Sequence, residues 1–133
     1  MAARPVDIYG RIDYGKWKPW SVLSIPPNTP APPATNIPGT VTVAGVTYPG
    51  VPITETGILR VIVAENTGVV FNLALTRAGV TSVMPYNAGG ALVANCLYLF
   101  DVPVIRGDVV NFQFGALTTI LMLDAYMIIM QGP

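Results

Sequence analysis

The side chains able to do acid–base or metal chemistry are few and scattered along this sequence. Among 133 residues there are seven acidic and seven basic side chains, one cysteine and no histidine. Without histidine the commonest general base and metal ligand is missing, and with it the Ser-His and Cys-His nucleophile pairs. Two carboxylates at a suitable separation are the remaining route to acid–base catalysis, and the pairs on offer are Asp7 with Asp13 and Asp101 with Asp108. Asp101 and Asp108 flank a turn and, with Glu65 or Glu55, could supply oxygen ligands for calcium. Yet no loop carries closely spaced acids, and acids at turns and strand ends are what solubility alone supplies. The expectation is a chain that is not an enzyme and has no catalytic, cofactor-binding or metal-binding residues.

Four further features could carry function. Arg106-Gly107-Asp108 spells a tripeptide read by integrins, but Gly-Asp before a strand is also ordinary turn chemistry. Gly89-Gly90 lacks the strand, helix and lysine that a phosphate-binding loop requires. Trp17 and Trp20, with Tyr9, Tyr14, Lys16 and Lys18, form a basic-aromatic cluster that could stack on a sugar or a base. The favoured reading is an anchor onto the domain or a neighbouring subunit, because aromatic side chains dominate interface hot spots. Cys96 has no partner in the chain and sits in an apolar stretch, which predicts a buried, inert thiol.

The elements that position these residues follow from composition and alternation. Hydrophobic residues make up 52% and charged residues 11%, less than half the charged share of about 25% in soluble domains. So little charge cannot coat a monomer. A membrane span needs roughly 18 consecutive apolar residues; the nearest candidate, 117–130, is shorter and carries Asp124. The start of the sequence lacks the basic residues plus apolar run of a secretory signal, which implies synthesis in the cytoplasm. The net charge of zero, spread as single residues, gives no footprint for nucleic acid. Neither nucleic acid nor membrane is expected as a partner, and burial by other subunits becomes the explanation of the composition.

Residues 1–38 read as an N-terminal arm with a proline-rich strap, and 39–133 as a β-domain. In 5–20 apolar and polar residues partly alternate, as in a half-buried edge strand. The prolines of 26–38 predict an extended strap that joins neither ladder nor helix. Short β-rich segments follow at 40–44, 46–48, 57–65, 69–76, 80–84, 91–102, 108–114 and 118–130, separated by turn residues, and this spacing predicts an antiparallel sandwich or barrel. In 108–114, Val110, Phe112 and Phe114 share one face and polar residues the other, so one side is expected to be wet. In 57–64 and 118–130 both faces are mainly apolar. A sandwich covers each sheet on one side, so the second face must meet another subunit. The predicted interface residues are Ile58, Ile62, Ile120, Met122, Tyr126, Ile128 and Met130, and the predicted arm contacts are Ile8, Tyr9, Tyr14, Trp17 and Trp20.

The run Val104-Ile105-Arg106-Gly107-Asp108-Val109-Val110, followed by an apolar terminal strand, resembles the last strands of jelly-roll domains of the TNF/C1q type and of small virion proteins, where a V-x-x-G-D-x-V turn precedes the penultimate strand. The resemblance covers about the last third of the chain and implies a jelly roll whose terminal strands lie near a threefold axis. The stretch Ile8-Tyr9-Gly10-Arg11-Ile12-Asp13-Tyr14, with the strap behind it, resembles the arm-plus-barrel layout of capsid decoration, or cement, proteins of tailed phages. It implies a homotrimer on the surface of a capsid, with the major capsid protein or other virion subunits as partner. The alternatives are a receptor- or carbohydrate-binding head of a viral fibre, or the shell or filament subunit itself.

Overall fold

The computed structural model describes residues 17–130, in which alternating apolar runs become eleven antiparallel strands. These are β1 (Trp17–Ile25), β2 (Thr29–Ala31), β3 (Val41–Val43), β4 (Val46–Tyr48), β5 (Val51–Pro52) and β6 (Gly57–Glu65), then β7 (Phe71–Arg77), β8 (Val80–Pro85), β9 (Tyr98–Val104), β10 (Val109–Phe114) and β11 (Thr118–Met130). One sheet has the order β1-β11-β6-β9, with β2 alongside the start of β11; the second has the order β5-β10-β7-β8; β3 and β4 form a separate hairpin. Numbering the eight sandwich strands from one to eight along the chain, the sheets read 1-8-3-6 and 2-7-4-5. That interleaving is the jelly roll, so the expected fold class is present.

Local chemistry accounts for the sharpest turns. Ala78-Gly79 joins β7 to β8 with φ of 51° and 79°, the paired left-handed conformation of a two-residue hairpin turn, whose twist matches that of the strands. The two inner faces meet in a core of Leu59, Val61, Val63, Leu123 and Met127 from one sheet and Phe71, Leu73, Val110, Phe112 and Phe114 from the other. The Phe71 ring centroid lies 5.0 Å from that of Phe114, 5.7 Å from Phe112 and 5.9 Å from Phe100. Such pairs each add about 0.5–1.5 kcal/mol beyond area burial.

The structure corrects five expectations. First, the strap is built into the sandwich: Pro30 pairs with Thr119 in the β2–β11 ladder, Ala31 is fully buried, and Ile37 exchanges hydrogen bonds of 2.8 and 2.7 Å with Phe112. A proline lacks one donor, which costs nothing on an edge where that donor faces away from the partner strand. Second, β1 pairs with β11 from Trp17 to Ile25, so the described part of the supposed arm belongs to the domain and the boundary at residue 38 does not hold. Third, Ile120 is 0% exposed. An extra residue in β11 between Ile120 and Met122 makes a bulge, which shifts the alternation by one and turns Ile120 into the core. Fourth, the polar face of β10 is dry at Asn111, which is buried beneath the segment 36–50: its Oδ1 accepts from the Gly39 N–H at 3.0 Å and its Nδ2 donates to the Pro49 carbonyl at 2.8 Å. Fifth, Cys96 is exposed; the stretch 91–97 is loop, turned at Asn95 by a φ of 61°.

Candidate interaction surface

The outward side of the β1-β11-β6-β9 sheet assembles the apolar residues left over from the core. Register places Ile128, Ile58 and Pro103 in one row, Tyr126, Arg60 and Asp101 in the next, Asp124, Ile62 and Leu99 in a third, and Met122 beside Ala64 beyond them. Ile58, Ile62, Met122, Tyr126 and Ile128 all stay part-exposed, Leu99 is 52% exposed and Pro103 is exposed. The opposite sheet differs: the segment 36–50 covers Asn111, and Gly50 approaches so closely that a Cβ there would lie 2.6 Å from Asn111 Nδ2. One sheet is therefore roofed by its own chain over β10, and the other presents a band of isoleucine, leucine, methionine and tyrosine to solvent.

Charges on this face are tied down. Arg60 donates from Nε to Asp101 Oδ1 at 2.9 Å and from Nη2 to Oδ2 at 3.0 Å. The two side chains stand directly opposite on β6 and β9, and this fork geometry holds the Asp101 carboxyl below the usual carboxylate range and raises the Arg60 guanidinium. Ser24 donates its hydroxyl to Asp124 at 2.9 Å. Of the predicted interface residues, then, Ile58, Ile62, Met122, Tyr126 and Ile128 share this face and Ile120 does not; Met130 is described at its backbone alone, as is Trp17. Trp20 packs against the core and so is not gathered into an aromatic patch, while Ile8, Tyr9 and Tyr14 lie outside the described residues. The sequence reading missed Leu99 and Pro103, although the alternation Leu99, Asp101, Pro103 marks one face of β9.

Among the described residues the acidic side chains do not come together; Asp7 and Asp13 lie outside them. Asp108 is 1% exposed and accepts from Arg77 Nε at 2.8 Å, Arg77 Nη2 at 2.6 Å and the Ile105 N–H at 2.9 Å. Chiefly the Arg77 hydrogen bonds, helped by the Ile105 amide, hold its carboxyl below the usual range against the opposing effect of burial. Its carboxylate is thus engaged inward, whereas Arg106 and Gly107 are exposed, so the tripeptide serves the turn. Glu65 occupies the core-facing end of β6, fully buried, where Oε1 accepts from the amides of Thr67 at 2.8 Å and Gly68 at 2.7 Å and from the Thr118 hydroxyl at 2.8 Å. That carboxylate closes the 65–68 turn. Among the described residues no group of three His, Cys, Asp or Glu side chains could hold a metal ion.

No helix of the described residues is long and apolar enough to cross a membrane. No family model matches the chain, and no curated protein matches it in sequence. Its class is therefore defined by the fold and the surface alone: an antiparallel jelly roll with one sheet face left apolar.

Proposed function

We propose that this protein is a non-enzymatic structural component of a virus particle, a capsid decoration protein that forms a homotrimer and stabilises the shell through contacts with the major capsid protein. The observation that supports this reading is the open apolar face of the β1-β11-β6-β9 sheet, which runs across Ile58, Ile62, Leu99, Tyr126 and Ile128. A lone copy leaves this band in water, and obligate subunit interfaces are the setting in which such surface is covered. The jelly roll is an architecture that capsid subunits use; that part of the reading is analogy at the level of fold. The Arg60–Asp101 pair suits a covered face because each charge brings its partner with it, whereas a lone charge in an interface is strongly unfavourable.

Native mass measurement of the full chain at micromolar concentration tests the proposal. The expected result is a closed trimer, and Ile62→Lys is expected to yield folded monomers with an unchanged far-ultraviolet dichroism spectrum. A wild-type monomer, or an Ile62→Lys trimer, would overturn it.

A further inference from the structure

Among the described residues the two sandwich sheets have four edges: β1, continued by β2, and β9 in one sheet, β5 and β8 in the other. An unpaired edge is a template for another strand, and proteins blunt it with shortness, proline, bulges or charge. Three of the four are blunted in this way. Strand β5 has two residues, one of them Pro52; β1 contains Lys18 and Pro19 and a register shift between Ser21 and Leu23; β9 contains Asp101 and Pro103. Strand β8 is blunted only at its end, where Pro85 lacks the outward amide: the five residues before it, Val80-Thr81-Ser82-Val83-Met84, are uncharged and all exposed, Val80 to 68% and Val83 to 52%. Because its hairpin loop has two residues, Val80 is hydrogen-bonded to Arg77, and by alternation so are Ser82 to Leu75 and Met84 to Leu73,. The amides of Thr81 and Val83 therefore point to the open side. Beneath that edge, between β8 and β9, runs a cleft of about 420 Å³ lined by Leu75, Val80, Met84 and Val102 among others.

We propose that the β8 edge receives residues 6–14 of a second copy of this chain as an added strand. That segment alternates apart from Tyr9 and Gly10: Val6, Ile8, Ile12 and Tyr14 share one parity, with Gly10, and Asp7, Arg11 and Asp13 the other, with Tyr9. A strand so patterned turns its apolar face to a cleft and its polar face to water. Chain length requires the donor to be another copy. Only Gly15 and Lys16 separate Tyr14 from Trp17, where β1 begins, and that step reaches at most about 11 Å. Strand β1 lies over β5, the two sharing a cleft lined by Trp20, Val22, Val51 and Pro52, and β8 lies by β9 at the far side of the sandwich. A strand beside β8 is four inter-strand spacings from β1, roughly 19 Å, before the gap of about 10 Å between the sheets is added.

The inference rests on the self-assembly proposed above, and amide hydrogen exchange on the full-length oligomer separates the two, since particle mass reads the assembly and protection of 6–14 reads the edge. In the wild-type oligomer, slow exchange is expected over 6–14 and at Thr81 and Val83. Val83→Pro removes an outward amide and leaves the bonds to β7 intact, so residues 6–14 should return to the exchange rate of an unstructured peptide. Ile8→Asp combined with Ile12→Asp, which leaves β8 untouched, should produce the same loss. Fast exchange of 6–14 in a wild-type oligomer, or protection that survives both variants, overturns strand donation and leaves the face-to-face assembly standing. A wild-type monomer overturns both.

Discussion

The bulge in β11 makes a prediction that separates the core from the exposed face within three residues. Ile120 is fully buried and Met122 part-exposed, although simple alternation would put both on the same side. Truncating a buried isoleucine to alanine costs about 2–5 kcal/mol, through lost transfer energy and the cavity left behind. For a domain of this size 1 kcal/mol corresponds to about 3–4 °C in Tm, so Ile120→Ala should lower Tm by roughly 6–20 °C. Met122→Ala removes no core contact, and its cost to the dilute protein should be about 0.5 kcal/mol or less. The assay is thermal unfolding followed by circular dichroism over a range of protein concentrations. Because association stabilises by mass action, the wild-type Tm should climb with concentration, Ile120→Ala should keep that slope at a lower Tm, and Met122→Ala should flatten it. If the two variants fall equally at the lowest concentration, the bulge does not divide the strand and the assignment of its faces is wrong.

Three further outcomes follow from the polar contacts. The Asp101 and Asp108 carboxyls are held low in the folded protein, so their contribution is present above the unfolded value near 3.9 and is lost as pH falls through the folded values. Urea midpoints should be flat from pH 7 to about 5 and drop below about 4, with a shallower drop in Asp108→Asn and little change in Asp101→Asn, whose pair is exposed and screened. Glu65→Ala strands two amides and the Thr118 hydroxyl and should cost about 3 kcal/mol or more, read as a lower urea midpoint, with Glu65→Gln recovering part because an amide oxygen can replace Oε1. Gly50→Ala places a Cβ 2.6 Å from Asn111 Nδ2 and 2.9 Å from the Val110 carbonyl oxygen; overpacking of that kind should cost about 1–3 kcal/mol in the same titration.

Alternation made most of the strands legible, because a sheet with one face buried imprints a period of two on its sequence. Gly57–Glu65 and Thr118–Met130 have the limits that the pattern implies, and both carry apolar residues on two sides. What alternation could not carry was the extra residue before Met122: Ile120-Leu121-Met122 is apolar throughout, so nothing in composition marks where the phase slips. The strap's prolines do not keep it out of the ladder, because a missing donor matters only on the side that faces a partner,. Alternation does not show that Asn111 is buried, because a polar side chain can be buried once both ends of its amide are bonded, here to Gly39 and Pro49. The stretch 91–97 has the composition of a strand, but only Leu92 of its large apolar residues is buried, while Val93 and Leu97 are 61% and 63% exposed. The ion partners of Asp101 and Asp108 lie 41 and 31 residues away, distances over which register, and no local spacing, decides who meets whom.

Charge poverty and charge placement point the same way. With only fourteen ionisable side chains of fixed sign, seven of each, the described sheets spend four on the two Arg–Asp forks and a fifth on closing the Glu65 turn. On the open face the fork Arg60–Asp101 sits amid apolar residues, its charges satisfied before any partner arrives, so covering it avoids the uncompensated charge that makes buried ions unfavourable. Asp124 differs in its described partner: its carboxylate accepts from a neutral serine hydroxyl. Asp124 lies next to β1, in the row of Ile62 and Leu99, so a contact centred over β6 and β9 covers the neutral fork and the isoleucines while leaving this carboxylate at the wet rim. That geometry favours the β9 side of the sheet as the middle of the interface and the β1 side as its margin.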